Sequence, residues 1–282
     1  TPVQHYLPRF RGKGKSAVTV RMLLAHTSGL RPYLPLFRLA KTRQGAIDRL
    51  YAEPLQHPAG TVEQYSDLNA ILLGLVLESV TGKPLDQVVE TEVLKPLDLN
   101  STMYRPPRSL WPRVAPASLW RGHPIRGEVN DPNAARLGGV SGHAGLFGTG
   151  HDIAMFARTW LRGGVGPHGQ WVRTSTLKRF ITSPNDLGGT RLLGWDSPDT
   201  TATPSLYGRT SGPDTFGHTG WTGTELWIDP AHDLYLVFLT NRSFDPKVSQ
   251  SLHALREIRA NVSDAALAVV PPVCVEALVA EC

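Results

Sequence analysis

From Asp67 onward, apolar residues fall at Leu68, Ile71, Leu72, Leu75 and Val76, the three-and-four spacing of one helix face. Gly82 ends that run. Thr19 to Leu24 predicts a shorter helix, with Thr19 as its N-cap and Gly29 as its stop. A third helix spans roughly Asp152 to Leu161, with Ile153, Phe156 and Trp160 on one face and Gly163-Gly164 behind it. Then the period changes. Phe216 to Gly220, Thr224 to Ile228 and Leu234 to Thr240 read as strands, and Asp229-Pro230-Ala231-His232-Asp233 joins the last two as a hairpin connection. Leu234 to Leu239 is apolar at every position, which predicts a strand covered on both faces. Val248, Leu252, Leu255, Ile258 and Val262 predict a C-terminal amphipathic helix against one face of that sheet. The pattern is α/β of the α+β type: a helix-rich part over about 19–165, then an antiparallel sheet with its helix over about 190–270, in one domain across 1–282.

Composition narrows the class. The chain has 282 residues, 41% hydrophobic and 19% charged, enough for a sizeable core and unlike a disordered chain. No apolar stretch approaches the roughly 18 residues of a membrane span, and Pro271, Pro272 and Glu276 break the apolar tail. Cys274 and Cys282 are too few for a disulfide-stapled scaffold or a cysteine-built zinc site; their spacing leaves pairing open, and two free thiols are the expectation. The net charge of +5 is not focused. Its densest cluster, Arg9, Arg11, Lys13 and Lys15, reads as a solvated loop and not a nucleic-acid surface. The ten histidines form no His-Glu-x-x-His, and there is no phosphate loop, so neither a metal nor a cofactor is expected.

Gly139-Val140-Ser141-Gly142-His143 approaches a nucleophile elbow, but His143 replaces the second glycine, and a glycine-rich turn into the third helix is the better reading. Two segments carry more. Tyr65-Ser66-Asp67 stands at a helix start, where Ser66 or Asp67 caps the helix and the positive helix end favours an anionic phenolate. Tyrosine titrates near pH 10, so work as a base at pH 7 needs about 4 kcal/mol of stabilisation. The helix end supplies ~1 kcal/mol, leaving most of the rest to a nearby lysine. Phe216-Gly217-His218-Thr219-Gly220-Trp221 reads, taken alone, either as a glycine-softened strand and turn with a surface histidine or as a strand edge of small residues, Thr219 and Gly220 among them, that lets a substrate backbone approach and aims a backbone N–H such as that of Trp221 at a developing oxyanion.

In this order, the segments resemble the serine β-lactamase, penicillin-binding D,D-peptidase and esterase superfamily, in its class C-like branch. His5-Tyr6-Leu7-Pro8 is similar to the segment after the family's first catalytic helix, and Leu23-Leu24-Ala25-His26-Thr27-Ser28-Gly29-Leu30 to its Leu-Leu-x-His-Thr-Ser-Gly-Leu stretch. Tyr65-Ser66-Asp67 falls at Tyr-x-Asn, Gly142 to Phe147 at the glycine-rich run before the Asp-bearing helix, and His218-Thr219-Gly220 at Lys-Thr-Gly in its His-Thr-Gly form. Asp229-Pro230 and Thr240-Asn241-Arg242 match the sheet region.

The resemblance implies a β-lactamase/transpeptidase-like fold and acyl-enzyme hydrolysis of a peptide, ester or β-lactam carbonyl. It assigns Tyr65 as general base and acid, Asp67 to the position usually held by Asn, and His218 to bind a substrate carboxylate when protonated or to relay a proton. An ionised Asp67 cannot donate a hydrogen bond and opposes ionisation of Tyr65, which weakens the β-lactam option. Thr219, Gly220 and Trp221 are the substrate-binding residues.

The family's nucleophile lies in Ser-x-x-Lys, upstream of the segment that His5 begins to match. Ser175-Thr176-Leu177-Lys178 fits the letters but stands at a surface helix start, with Ser175 as its N-cap, and Ser28 is a helix-end residue. The expectation is therefore a piece truncated before its nucleophile, inactive alone, missing its first strands and left with a free sheet edge. The alternative is a non-catalytic module that keeps the cleft for a ligand or partner. The substrate is expected to be a small molecule or a peptidoglycan peptide, with no nucleic-acid partner, and the family's habits favour a periplasmic or secreted setting.

Overall fold

The computed structural model describes residues 1–120, 123–182, 187–199, 207–244 and 251–270. Helix α1, Val20–Leu24, is capped by Thr19, whose hydroxyl accepts the Met22 N–H at 3.2 Å. It ends at Ala25, well before Gly29, because His26 turns left-handed at φ 55°. Helix α2 is Arg43–Ala52 and α3 is Asp67–Thr81. Gly82 closes α3 at φ 66°, its N–H bonding the Glu78 carbonyl, as a left-handed C-cap requires. The first core lies among these helices: Leu23 of α1, Leu50 of α2 and Leu68, Ile71 and Leu72 of α3 pack with Val3, Phe10 and Leu30. Each fully buried leucine contributes about 1.5–3 kcal/mol.

Helix α4, Gly150–Leu161, starts at its Thr149 cap, and α5 is Thr174–Ile181. Strands β1, Phe216–Thr219, β2, Glu225–Asp229, and β3, Leu234–Phe238, form an antiparallel sheet in that order. Helix α6 is Leu252–Leu267. Strand alternation splits the sheet's side chains. Phe216, Leu226, Ile228 and Tyr235 face Trp160 and Leu161 of α4 and Leu177 of α5, while Trp227, Leu234 and Leu236 face Leu267 of α6. Shorter strand pairs, such as Met103–Tyr104 with Leu146–Phe147, carry no periodic signal and were not anticipated.

Several expectations need correction. Strand β3 is covered on both faces, but only partly, and Leu239 just beyond it is 51% exposed. The buried side of α6 is Leu255, Arg259, Ser263 and Leu267, whereas Leu252 and Ile258 are exposed. Arg259 and Ser263 turn inward because Glu225 and Trp227 offer them polar partners on β2. Lys15 is not solvated: it is 1% exposed, donates to the Tyr51 carbonyl at 2.6 Å and sits over the Phe10 ring. Ser175 lies inside the first turn of α5, with Arg173 in the cap position. Val248, Cys274 and Cys282 lie outside the described residues. No helix among those described is long and apolar enough to cross a membrane by itself, and no group of metal-ligating side chains occurs among them.

Candidate active site

Tyr65 stands in the turn that enters α3, on one side of the candidate site. Ser66 caps this helix: its hydroxyl accepts the Leu68 N–H at 3.2 Å and donates to the Arg31 carbonyl at 2.6 Å. That pair of bonds fixes the chain direction one residue after Tyr65. On the far side, His218 leaves β1 on the α4 face of the sheet, opposite Leu226. The two rings meet with centroids 5.9 Å apart, so the fold brings together the phenol and imidazole separated by 153 positions.

A third group stands between them. The Arg191 guanidinium lies 4.9 Å from the Tyr65 ring centroid, donates to His218 Nε2 at 3.2 Å and pairs with Asp196 at 3.2 Å. The loop around it is a tight reversal. The Leu192 N–H bonds the Trp195 carbonyl, the Ser197 N–H bonds the Thr190 carbonyl, and Asp196 exchanges two backbone bonds with Gly217 of β1. This last bridge lays the loop against β1 and sets Arg191 beside His218. Glu63 holds the same loop from the helical side, its carboxylate accepting the Arg191 N–H at 3.2 Å.

These contacts set the charges. His218 donates through Nδ1 to the Thr219 carbonyl at 2.9 Å and accepts at Nε2 from Arg191, so the ring is neutral in one tautomer. Burial and then the Arg191 charge hold it below the ordinary histidine range. The permanent cation at this place is the Arg191 guanidinium beside it. Burial pushes the Tyr65 phenol up to about 12, with the Asp67 carboxylate adding to the rise and Arg191 opposing it. The helix end does not overcome these effects, and the phenol is neutral at pH 7. Asp67 is itself raised, by burial first, with His143 acting against it.

Trp221 opens the turn between β1 and β2 and is 70% exposed. Its carbonyl accepts from Arg242 Nε at 2.6 Å, while its N–H makes no hydrogen bond among the described residues. Gly220 donates to the Thr224 carbonyl at 2.7 Å, and Thr219 pairs with Glu225. Small residues and an unspent N–H thus line this edge.

The glycine-rich turn holds an arrangement that sequence reading dismissed. Ser141 Oγ lies 2.8 Å from His143 Nδ1, and His143 Nε2 lies 2.8 Å from Asp131. The composition is that of a hydrolase triad, yet Ser141 is 5% exposed. The adjoining Gly142 is packed so closely on α3 that a Cβ there would stand 2.0 Å from the Ala70 carbonyl oxygen. A cavity of about 10 Å³ beside Ser141 has no room for an acyl group. What the array does is hold Asp131 ionised, below the usual carboxylate range, through hydrogen bonds from His143, Ala134 and Asn133 that outweigh burial. Arg191, Glu63 and Asp131 were all missed as site residues. None stands in a periodic element, and only the His143 segment was visible as a glycine-rich run.

Comparison with known proteins identifies the family and the fold. Residues 1–260 match the Beta-lactamase family. A protein of Escherichia coli K12, provisionally named D-alanyl-D-alanine carboxypeptidase, is 33% identical over 280 residues, covering 86% of this chain and 63% of that protein. The corresponding protein of Escherichia coli O157:H7 is 34% identical, covering 83% of this chain and 59% of its own length. The chain thus spans under two thirds of these relatives. Among solved structures, a penicillin-binding protein homologue from Caulobacter crescentus superposes with a TM-score of 0.68 at 20% identity, covering 93% of this chain and 76% of that one. A class C beta-lactamase gives 0.66 at 19% identity, covering 94% and 74%. A family VIII carboxylesterase gives 0.65 at 22%, covering 93% and 76%. With a family match across nearly the whole chain and curated relatives at one third identity, the chain belongs to the beta-lactamase family of hydrolases.

Proposed function

We propose that this chain carries most of the active site of a serine hydrolase that cleaves a peptide bond next to a free carboxylate, as a D-alanyl-D-alanine carboxypeptidase does. The observation that carries the reading is the convergence of Tyr65, His218 and Arg191 on one crevice. Arg191 is the permanent cation a terminal carboxylate needs, and its planar fork keeps N–H donors beyond those given to Asp196 and His218. The unspent Trp221 N–H supplies one oxyanion donor. Tyr65 passes the nucleophile's proton to the leaving amine. Neutral His218 fixes the guanidinium and the strand edge. The carboxypeptidase names of the relatives support a peptide substrate, and Asp67 in place of an amide disfavours a β-lactam.

With Tyr65 near 12, Arg191 alone leaves the phenol protonated at neutral pH. A further cation beside it, such as the lysine of Ser-x-x-Lys, is what the base role requires. Among the described residues no serine hydroxyl is hydrogen-bonded to Tyr65 or His218, so the chain by itself is expected to be inactive, and a longer product that carried such a segment to be active. D-Alanine release from an acyl-D-Ala-D-Ala peptide, with fluorescent-penicillin labelling in parallel, tests this on both proteins. The expected result is no release and no label with the chain alone, and both with the longer product. Rapid labelling of the chain alone, or a longer product that never releases D-alanine, overturns it; the second outcome favours a module that binds without cleaving.

A further inference from the structure

His26 lies behind Tyr65, with ring centroids 4.6 Å apart, and is 8% exposed. The polarity of its hydrogen bonds can be worked out from one end. The Leu30 N–H donates to Ser28 Oγ at 3.2 Å, and the Ser28 hydroxyl then donates to Asn69 Oδ1 at 2.6 Å. This fixes which way the Asn69 amide points, so its NH₂ donates to His26 Nδ1 at 3.1 Å. The Ser66 N–H donates to the same nitrogen at 3.2 Å. An atom that accepts twice holds no proton, so the ring's proton is on Nε2. The His26 backbone carbonyl meanwhile accepts the Gln64 N–H at 2.8 Å. Residues 64 and 66 are therefore both bound by one residue, and the residue between them is Tyr65.

His26 can reach both sides because its backbone is left-handed, one of four described non-glycine residues with positive φ. Such a conformation costs about 1 kcal/mol or more and persists where the surroundings demand it. Burial first, and then the Arg191 charge, push the ring down to about 3, so it stays a neutral acceptor in ordinary buffers.

We infer that His26 is the positioning residue for Tyr65, a neutral imidazole that clamps the peptide units on either side of the phenol and packs against its ring. The inference deepens the reading in which Tyr65 moves the proton. Its readout is the placement of Tyr65 itself, so it stands or falls whether or not a peptide is cleaved.

The test uses the 282-residue chain labelled with ¹⁵N and with ζ-¹³C tyrosine; the Tyr65 signal is identified by its loss in Tyr65→Phe. His26→Asn keeps an acceptor oxygen close to the position of Nδ1 and tolerates the left-handed backbone. His26→Gly frees the backbone but removes the acceptor. The expected result is a sharp Tyr65 signal in His26→Asn, with Ser66 amide exchange close to the parent. In His26→Gly the Tyr65 signal broadens or splits, and Ser66 exchange quickens about tenfold, the size of one lost hydrogen bond. If relief of strain were all that mattered, glycine would do as well as asparagine or better, and that ordering overturns the inference. A measurement on the unsubstituted chain guards against variants that fail to fold. Its His26 ring must show a bare Nδ1 and a protonated Nε2, and the opposite tautomer also overturns the inference.

Discussion

Tyr65 and His218 face each other across 5.9 Å, yet the walls that hold them are built from different chemistry. Behind Tyr65 runs a chain of neutral groups, Leu30, Ser28, Asn69 and His26, each donating to the next, all buried within the helical core. Behind His218 the wall is charged. Arg191 pairs with Asp196, and below the strand end Glu225 pairs with Arg259 of α6 at 3.1 Å. A neutral relay has nothing to titrate near pH 7 and little to screen. A buried ion pair has a large desolvation cost that only its partner offsets, so its contribution shifts with pH and with either partner's loss. The two halves of one crevice should therefore respond differently to acid, and to substitutions of similar size.

The largest expected contrast is at Glu225, which is 2% exposed. Burial, only partly opposed by Arg259, raises its carboxyl from 4.5 to about 7. A carboxyl raised on folding contributes stability that is fully present below about 4.5 and is lost as pH rises through about 7. The full swing is about 3 kcal/mol. The depressed His26 and His218 act in the opposite sense below about pH 6.5, so the decline is read as a difference: urea unfolding of the parent minus that of Glu225→Gln is expected to fall between those limits. An equal slope in both proteins places the titrating group elsewhere.

On the helical side, Asn69→Leu removes the centre of the neutral relay. Asn69 is fully buried, and its loss strands the Ser28 hydroxyl while leaving His26 Nδ1 with only the Ser66 N–H. An unsatisfied buried group of this kind costs about 2 to 3 kcal/mol. The loss is expected to be the same at about pH 5.5 and about pH 8, because no member of the relay changes charge between them. A loss that varies with pH would break the distinction between the walls.

These contrasts also mark what could be read in the amino-acid order. Helix α3 was visible from its cap to Gly82, because its burial is periodic and both ends carry residues chosen for their backbone geometry. The strands were visible as β-prone runs between turn residues, and Tyr65 at a helix start and His218 at a strand end, whose rings the fold brings together, were marked by the short segments around them. Arg191 was not. It stands in a six-residue reversal whose place depends on Asp196 bridging to Gly217, a contact made only after β1 exists. The inward turn of Arg259 on α6 was hidden similarly, since a helix pattern scored on apolar residues treats an arginine as solvent-facing until its buried partner is known. Local periodicity marks elements and their ends, whereas charges buried against distant charges become legible only with the fold.

The caps allow a finer comparison. Both caps make two hydrogen bonds, but Ser66 at the start of α3 is fully buried and ties two separate segments, whereas Thr149 at the start of α4 is partly buried and both its bonds go to Asp152. Ser66→Ala is expected to cost about 2 kcal/mol and Thr149→Ala about 1 kcal/mol by chemical denaturation. Equal costs would mean that the Arg31 carbonyl finds another donor, and that the turn bearing Tyr65 is less tightly held than its geometry implies.

The last contrast is at Arg191, where the electrical effect on the site can be read apart from the stability. Its side chain is 19% exposed, and Arg191→Gln keeps hydrogen-bond donors near Asp196 and His218 while removing the charge. Losing the charge leaves the buried Asp196 carboxylate without its counter-ion, so the stability cost at neutral pH should be about 3 kcal/mol. The charge is one cause of the lowered His218 and the main influence opposing the rise of Tyr65. Its removal therefore moves both groups upward: His218 back toward its ordinary range, and Tyr65 further from ionisation. For a histidine depressed on folding, the unfolded chain takes up its proton first as pH falls, so stability drops below about pH 6.5. Raising the folded value shrinks that drop. NMR titration of His218 in the two proteins reads the shift directly, and the acid limb of the stability curve reads its consequence. If His218 titrates at the same pH with and without the guanidinium, burial alone sets its charge, and Arg191 has no electrical hold on the opposite wall.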